Sequence, residues 1–182
     1  ERTERLPFSM RLYAGCEVRF EPRDLDEILT HLRTGRIPSM NHTRYVLTEF
    51  STRVLRQEAL GMISEIRKEG WIPILAHTER YPDLFAEDTL DRILDMGCYL
   101  QINAYSLSDD PEGETAGRAG RLLSEKKVSF FGSDAHRLNH RPPDVEKGLK
   151  YLYEHCEAGY ADAVAFGNAL EMLAEGERDY GR

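Results

Sequence analysis

Five short apolar stretches punctuate the chain: Leu12 to Phe20, Tyr45 to Phe50, Ile72 to Ala76, Cys98 to Ala104 and Val128 to Gly132. They are rich in β-branched and aromatic residues and mostly continuous rather than alternating, which predicts buried strands. The segments between them carry helical signals. Asp24 and Glu27 have capping-box spacing ahead of Ile28 and Leu29. Leu55, Ala59, Met62, Ile63 and Ile66 fall on one helix face, and Gly70 marks the end of that helix. A third helix is predicted from Glu87 to Met96, stopping at Gly97. A fourth follows Pro142-Pro143, with Asp144 as cap and Val145, Leu149 and Leu152 facing inward. Strands alternating with helices predict parallel βα units. One loose loop, Ser106 to Thr115, is rich in Ser, Asp, Gly, Glu and Pro, and neither an internal repeat nor a domain linker is visible. The expectation is a single domain over residues 1–182.

Composition narrows the class. At 182 residues and 41% hydrophobic, the chain can bury one core of ordinary size. The net charge of −8, with no Lys/Arg-rich run, argues against nucleic acid as a partner. It does not exclude phosphate chemistry, because arginines or metal ions held by the acids can concentrate positive charge locally. No apolar stretch approaches the roughly 20 residues of a membrane helix, and no signal-peptide pattern opens the chain, so a cytoplasmic, non-spanning protein is expected. Cys16, Cys98 and Cys156 are far apart, odd in number and in no CxxC arrangement, and they read as core thiols. The chain starts at Glu1 and runs almost at once into a strand-like segment, as a piece of a longer domain would.

In parallel α/β folds the carboxyl ends of the strands share one face, and function gathers there. Four of the five predicted strands bring a metal-capable side chain near that end: Glu17, Glu49, His77, and the pair Asp134 and His136. Each has a plainer reading. A glutamate late in a strand can be solvated or salt-bridged, His77 can be a hydrogen-bonded core histidine, and Ser133-Asp134 can cap a helix. Asp134 and His136 face the same way only if the strand runs through both. Their shared position favours a site. Carboxylates with imidazoles and no thiolate suit Mn, Fe or Zn at a hydrolytic centre.

Gly-Cys-Glu-Val (15–18), Glu-Phe-Ser (49–51), Pro-Ile-Leu-Ala-His-Thr-Glu-Arg-Tyr (73–81), Met-Gly-Cys-Tyr-Leu-Gln-Ile-Asn (96–103) and Ser-Asp-Ala-His (133–136) with Arg141-Pro142-Pro143 stand in this order along the chain. Together they resemble the PHP superfamily, and within it the bacterial manganese-dependent protein-tyrosine phosphatases of capsule and exopolysaccharide loci. The resemblance implies a distorted (β/α)7 barrel holding up to three ions, Mn2+ first, with Fe or Zn as alternatives. Glu17 would bridge two metals, Glu49 and His77 would complete one site, Asp134 would join another, and His136 would serve a third. Arg80 and Arg141 would hold the substrate phosphate, the guanidinium fork matching phosphate oxygens; their plainer reading is as surface arginines capping helices.

The resemblance further implies, as substrate, the phosphotyrosine tail of a membrane-associated bacterial tyrosine kinase that controls polysaccharide export. No Cys-x5-Arg loop is present, which excludes a cysteine-phosphate mechanism. The family's opening His-x-His strand, and the acid and histidine after it, have no counterpart here. Five strands are expected where the barrel has seven, and part of the metal cage is missing. The missing segment would be disordered or cleaved, or another subunit would cover the gap in a homo-oligomer. His31, His42, His140 and His155 read as structural or solvated. Two other readings stand beside the phosphatase: a histidinol-phosphatase-like enzyme acting on a small phosphomonoester, and a degenerate, non-catalytic PHP domain.

Overall fold

The computed structural model describes residues 11–107, 113–137, 139 and 141–179. Five parallel strands form one sheet in chain order: β1 (Glu17–Arg19), β2 (Tyr45–Glu49), β3 (Ile72–Leu75), β4 (Tyr99–Asn103) and β5 (Phe130–Gly132). Helices α1 (Leu25–Arg33), α2 (Arg56–Lys68), α3 (Thr89–Asp95) and α4 (Glu114–Ser124) make the successive crossovers. Beyond β5 come α5 (Glu146–His155), α6 (Ala158–Asp162) and, after one π-helical turn, α7 (Asn168–Asp179). The expected parallel α/β architecture is therefore present. The barrel is not: among the described residues the sheet is open, because β1 and β5 do not pair with each other.

Both faces of the sheet are covered, which explains the continuous apolar strands. On one face Val46, Leu75, Leu100 and Ile102 pack with the inward residues of the crossover helices, including Leu29, Ile63, Ile66, Ile93 and Leu122. On the other, Ile74 and Phe130 meet Met172 of α7, with Met40, Leu47 and Ala169 beside them. Asn168 Nδ2 pins the start of α7 to the Ser129 carbonyl at 2.8 Å.

Local details depart from the sequence pattern for identifiable reasons. The first strand spans Glu17–Arg19 only, while Leu12 and Tyr13 are exposed and so gain nothing from a strand's packing. Asp24 stands at the start of α1, but its carboxylate bonds Arg23 at 3.2 Å instead of capping the helix. Leu55 is exposed at the start of α2, where its N–H meets Glu58 Oε2 at 3.3 Å; Ala59, Met62, Ile63 and Ile66 do face the core. Asp144 stands one residue ahead of the α5 N-cap, which is Val145, so its Oδ1 accepts the Glu146 N–H at 3.0 Å in a local turn instead of capping the helix; Leu152 is buried as expected. Helix α4 begins within the stretch read as a loose loop, of which residues 108–112 lie outside the described residues. The three cysteines are free thiols.

Candidate metal and phosphate site

His77 follows β3 by two residues, in a left-handed backbone conformation at φ 36° that turns its ring back toward the strand ends. Its Nε2 lies 3.1 Å from Glu17 Oε1 and 3.4 Å from Glu49 Oε1. Glu49 closes β2, whereas Glu17 opens the shortened β1 rather than ending it. One donor atom from each of the three lies within 4.8 Å of the others. His77 is buried at 3% exposure, and Tyr81 packs beside it with ring centroids 5.6 Å apart. Two carboxylates facing a single imidazole nitrogen form a donor set suited to a hard or borderline divalent cation.

The condition for Asp134 and His136 to face the same way, a strand running through both, is not met. β5 ends at Gly132, and Asp134 sits at φ 49° in the following loop. Its side chain caps no helix: Oδ2 accepts from Arg141 Nη1 at 2.8 Å and from Asn103 Nδ2 at 3.2 Å. Asp134 shares with Glu17 and His77 a cavity of about 250 Å³, floored by Leu47, Ile74, Ala76 and Phe130. His136 stays exposed, its Nδ1 2.8 Å from the Asp134 carbonyl, and is not part of the three-donor group. Arg141 also lies over the Tyr105 ring, 5.3 Å from its centroid. Arg80, half-buried, lines an adjoining cleft with Tyr105, Ser106 and the start of α4.

Charge follows the same geometry. The Glu17 carboxyl is held below its ordinary range, first by the hydrogen bond with His77, against the opposing effect of burial. The Arg80 guanidinium acts in the same direction. Glu79 is enclosed completely, and burial pushes its carboxyl up.

Several residues with no role assigned from the sequence support this arrangement. Gln101 Oε1 accepts the His77 N–H at 2.6 Å, and Glu79 Oε1 accepts the Ser106 hydroxyl at 2.7 Å and the Asn103 N–H at 3.1 Å. Two amides two residues apart in an apolar strand were the available signal, since a buried amide needs partners. His31, beside Arg36, and His155, stacked on Tyr151, lie outside the cluster, as does His42 in a separate cleft; His140 is outside the described residues.

The family description "Capsular polysaccharide synthesis, CpsB/CapC" matches residues 1–174. The chain belongs to the CpsB/CapC family. It is 31% identical over 153 residues to the tyrosine-protein phosphatase CpsB of Streptococcus agalactiae serotype III (strain NEM316), covering 81% of this chain and 63% of that protein. To CpsB of Streptococcus pneumoniae it is 35% identical over 155 residues, 82% of this chain and 64% of the relative. The chain thus spans a little under two thirds of the CpsB/CapC proteins it matches. A chain from the crystal structures of YwqE from Bacillus subtilis and CpsB from Streptococcus pneumoniae, described as unique metal-dependent tyrosine phosphatases, aligns with a TM-score of 0.76. Identity there is 24%, over 88% of this chain and 64% of that one, a likeness of fold.

Proposed function

We propose that this domain belongs to a metal-dependent protein-tyrosine phosphatase that removes phosphate from phosphotyrosine on a bacterial tyrosine autokinase regulating capsule or exopolysaccharide synthesis. The observation that carries the reading is the convergence of Glu17, Glu49 and His77 at the ends of three successive strands, with Asp134 on the cavity that Glu17 and His77 line and Arg141 bonded to Asp134. The CpsB relatives named above, phosphatases of protein tyrosine, support it. In the whole protein a closed barrel and up to three ions, Mn2+ first and Fe or Zn as alternatives, complete the centre. A cytoplasmic setting fits a kinase tail on the inner membrane face, and no helix among the described residues is long and apolar enough to cross a membrane.

Glu17, Glu49 and His77 would hold the first metal. A bound metal supplies Lewis acidity toward the phosphate and makes water acidic enough to attack phosphorus near neutral pH. Arg141 spends one donor on Asp134 and keeps the rest of its fork for phosphate oxygens. Asp134 orients that fork and would serve a second metal, and the exposed His136, bonded to the Asp134 carbonyl, would serve a third. Arg80 approaches from the adjoining cleft, so two guanidiniums stabilise the equatorial oxygens as charge redistributes. The test compares Mn2+-dependent turnover of a phosphotyrosyl peptide with that of histidinol phosphate, in the natural protein and in His77→Ala. Preference for the peptide, lost in the variant, is expected. Preference for histidinol phosphate, or unchanged rates in His77→Ala, would contradict the reading.

A further inference from the structure

Strand β4 is the one strand that delivers no metal-ligating side chain, yet it places two amides, Gln101 and Asn103, on the face that lines the site cavity. Gln101 is 9% exposed and Asn103 is fully enclosed. Burying amides beside an apolar floor is unfavourable unless each group is bonded, and these are bonded in a particular direction. The His77 N–H donates to Gln101 Oε1 at 2.6 Å, and Gln101 Nε2 donates to Asn103 Oδ1 at 3.0 Å. Asn103 Nδ2 in turn donates to Asp134 Oδ2 at 3.2 Å, the oxygen that also receives Arg141 Nη1 at 2.8 Å. An unbroken hydrogen-bonded path therefore runs from the backbone of a metal-ligand residue to the phosphate-binding guanidinium.

Two features give this path a task. A metal-ligating histidine is ordinarily oriented through its second ring nitrogen, but His77 Nδ1 is buried with no hydrogen-bond partner among the described residues. With that nitrogen unbonded, the ring is placed by Tyr81 packing beside it and by its main chain, which is held at φ 36°, a conformation that non-glycine residues keep only when their surroundings impose it. Gln101 is the side chain that holds that main chain. At the other end, Asp134 is left-handed as well, at φ 49°, and Asn103 is bonded to its carboxylate. Space for the Gln101 amide comes from Gly132, where a Cβ would stand 3.1 Å from Nε2.

We infer that Gln101 and Asn103 are positioning residues: the Gln101 amide fixes His77, the Asn103 amide fixes Asp134 and through it Arg141, and their mutual bond sets the spacing between metal ligands and phosphate clamp. This rests on the phosphatase reading, so the test carries an arm that does not use activity. In Gln101→Met, of similar size but without the acceptor, His77 should leave its left-handed conformation in a crystal structure, and Mn2+ affinity measured calorimetrically should fall about 10- to 100-fold. In Asn103→Leu, KM for a phosphotyrosyl peptide should rise about tenfold or more while His77 stays in place. Should Gln101→Met fail to fold, Gln101→Glu keeps the acceptor for the His77 N–H and opposes Asn103 Oδ1. It should retain the His77 geometry and show the KM effect of Asn103→Leu. His77 unmoved in Gln101→Met, or melting temperatures lowered with metal affinity and KM unchanged, would overturn the positioning role. An unaltered protein that binds no Mn2+ would contradict the phosphatase reading instead, and the position of His77 in the variants would still decide this one.

Discussion

Gly148→Ala tests how tightly α5 is seated against the strand ends that carry the site. Gly148 is buried on α5, and a Cβ there would stand 2.7 Å from the Ala104 carbonyl oxygen, 2.8 Å from Ala104 Cα and 2.8 Å from Phe131 Cζ. All three are closer than carbon atoms approach without displacement, and two are backbone, so no flexible side chain can yield. Overpacking of this kind costs about 1–3 kcal/mol, and the better helix propensity of alanine offsets up to about 1 kcal/mol of it. A net loss of about 1–2 kcal/mol lowers the melting temperature by about 2–8 °C in a domain of this size. Gly61 in α2 and Gly117 in α4 serve as internal controls, since a Cβ at either meets nothing within 4 Å. Gly61→Ala and Gly117→Ala should therefore raise the melting temperature by a few degrees, through the same propensity gain of about 1 kcal/mol. Circular-dichroism melts of the three variants settle the comparison. Because Ala104 adjoins Asn103, Gly148→Ala should also lower turnover in protein that remains folded. A Gly148→Ala melting point at or above that of the unaltered protein would refute the reasoning.

Three other outcomes follow from the same structure. Arg141→Lys keeps the charge but loses the fork that bonds Asp134 and that the proposed mechanism directs at phosphate, so kcat should fall on the order of 100-fold; unchanged turnover would remove Arg141 from the site. Burial pushes the Cys98 thiol up to about 12, so iodoacetamide at mildly alkaline pH should leave Cys98 unmodified in native protein and label it only after unfolding, as peptide mass spectrometry would read. Burial raises the Glu79 carboxyl above its ordinary value of 4.5, so the fold disfavours its charged form and a stability cost sets in as pH rises past that value. Glu79→Gln removes the cost, and its melting temperature relative to the unaltered protein should climb with pH above about 5 and flatten above the raised value; a difference that does not change with pH would contradict this.

The parts of the fold that depend on periodicity were legible in the sequence. Continuous apolar runs located the strands because the sheet is covered on both faces, save at its β1 edge, where Glu17 and Arg19 are exposed; Ala59, Met62, Ile63 and Ile66 marked α2 because they recur at helical spacing. Helix α4 was hidden because its buried face is built from Ala116, Ala119, Leu122 and Leu123 among glycines at 117 and 120, a weak apolar signal next to a loop-like stretch. The long C-terminal run through α6 and α7 was missed because much of its surface is polar and its buried positions, such as Val164 and Met172, are widely spaced.

At the site, residue type brought Glu17, Glu49 and His77 forward; strand-end position holds for Glu49, which closes β2, and for His77, just past β3, but not for Glu17, which opens β1. The fifth apolar run ends at Gly132 and so does β5, but position alone left open whether the strand continues through Asp134 and His136. That break separates Asp134, held by Arg141 and Asn103, from His136, which faces solvent. Gln101, Asn103 and Glu79 went unassigned because their roles lie in hydrogen bonds between strands 24 or more residues apart, as between Gln101 and His77 or Asn103 and Asp134.

The central claim is that three successive strands deliver Glu17, Glu49 and His77 to one cation. Anomalous diffraction from crystals of the protein soaked in manganese measures this directly. The account predicts a peak between the two carboxylates and His77 Nε2, at about 2.0–2.2 Å from the nitrogen and each nearest oxygen, and its loss in His77→Ala crystals that keep the fold. A manganese peak elsewhere with these three side chains unliganded, or none at saturating manganese, would contradict it.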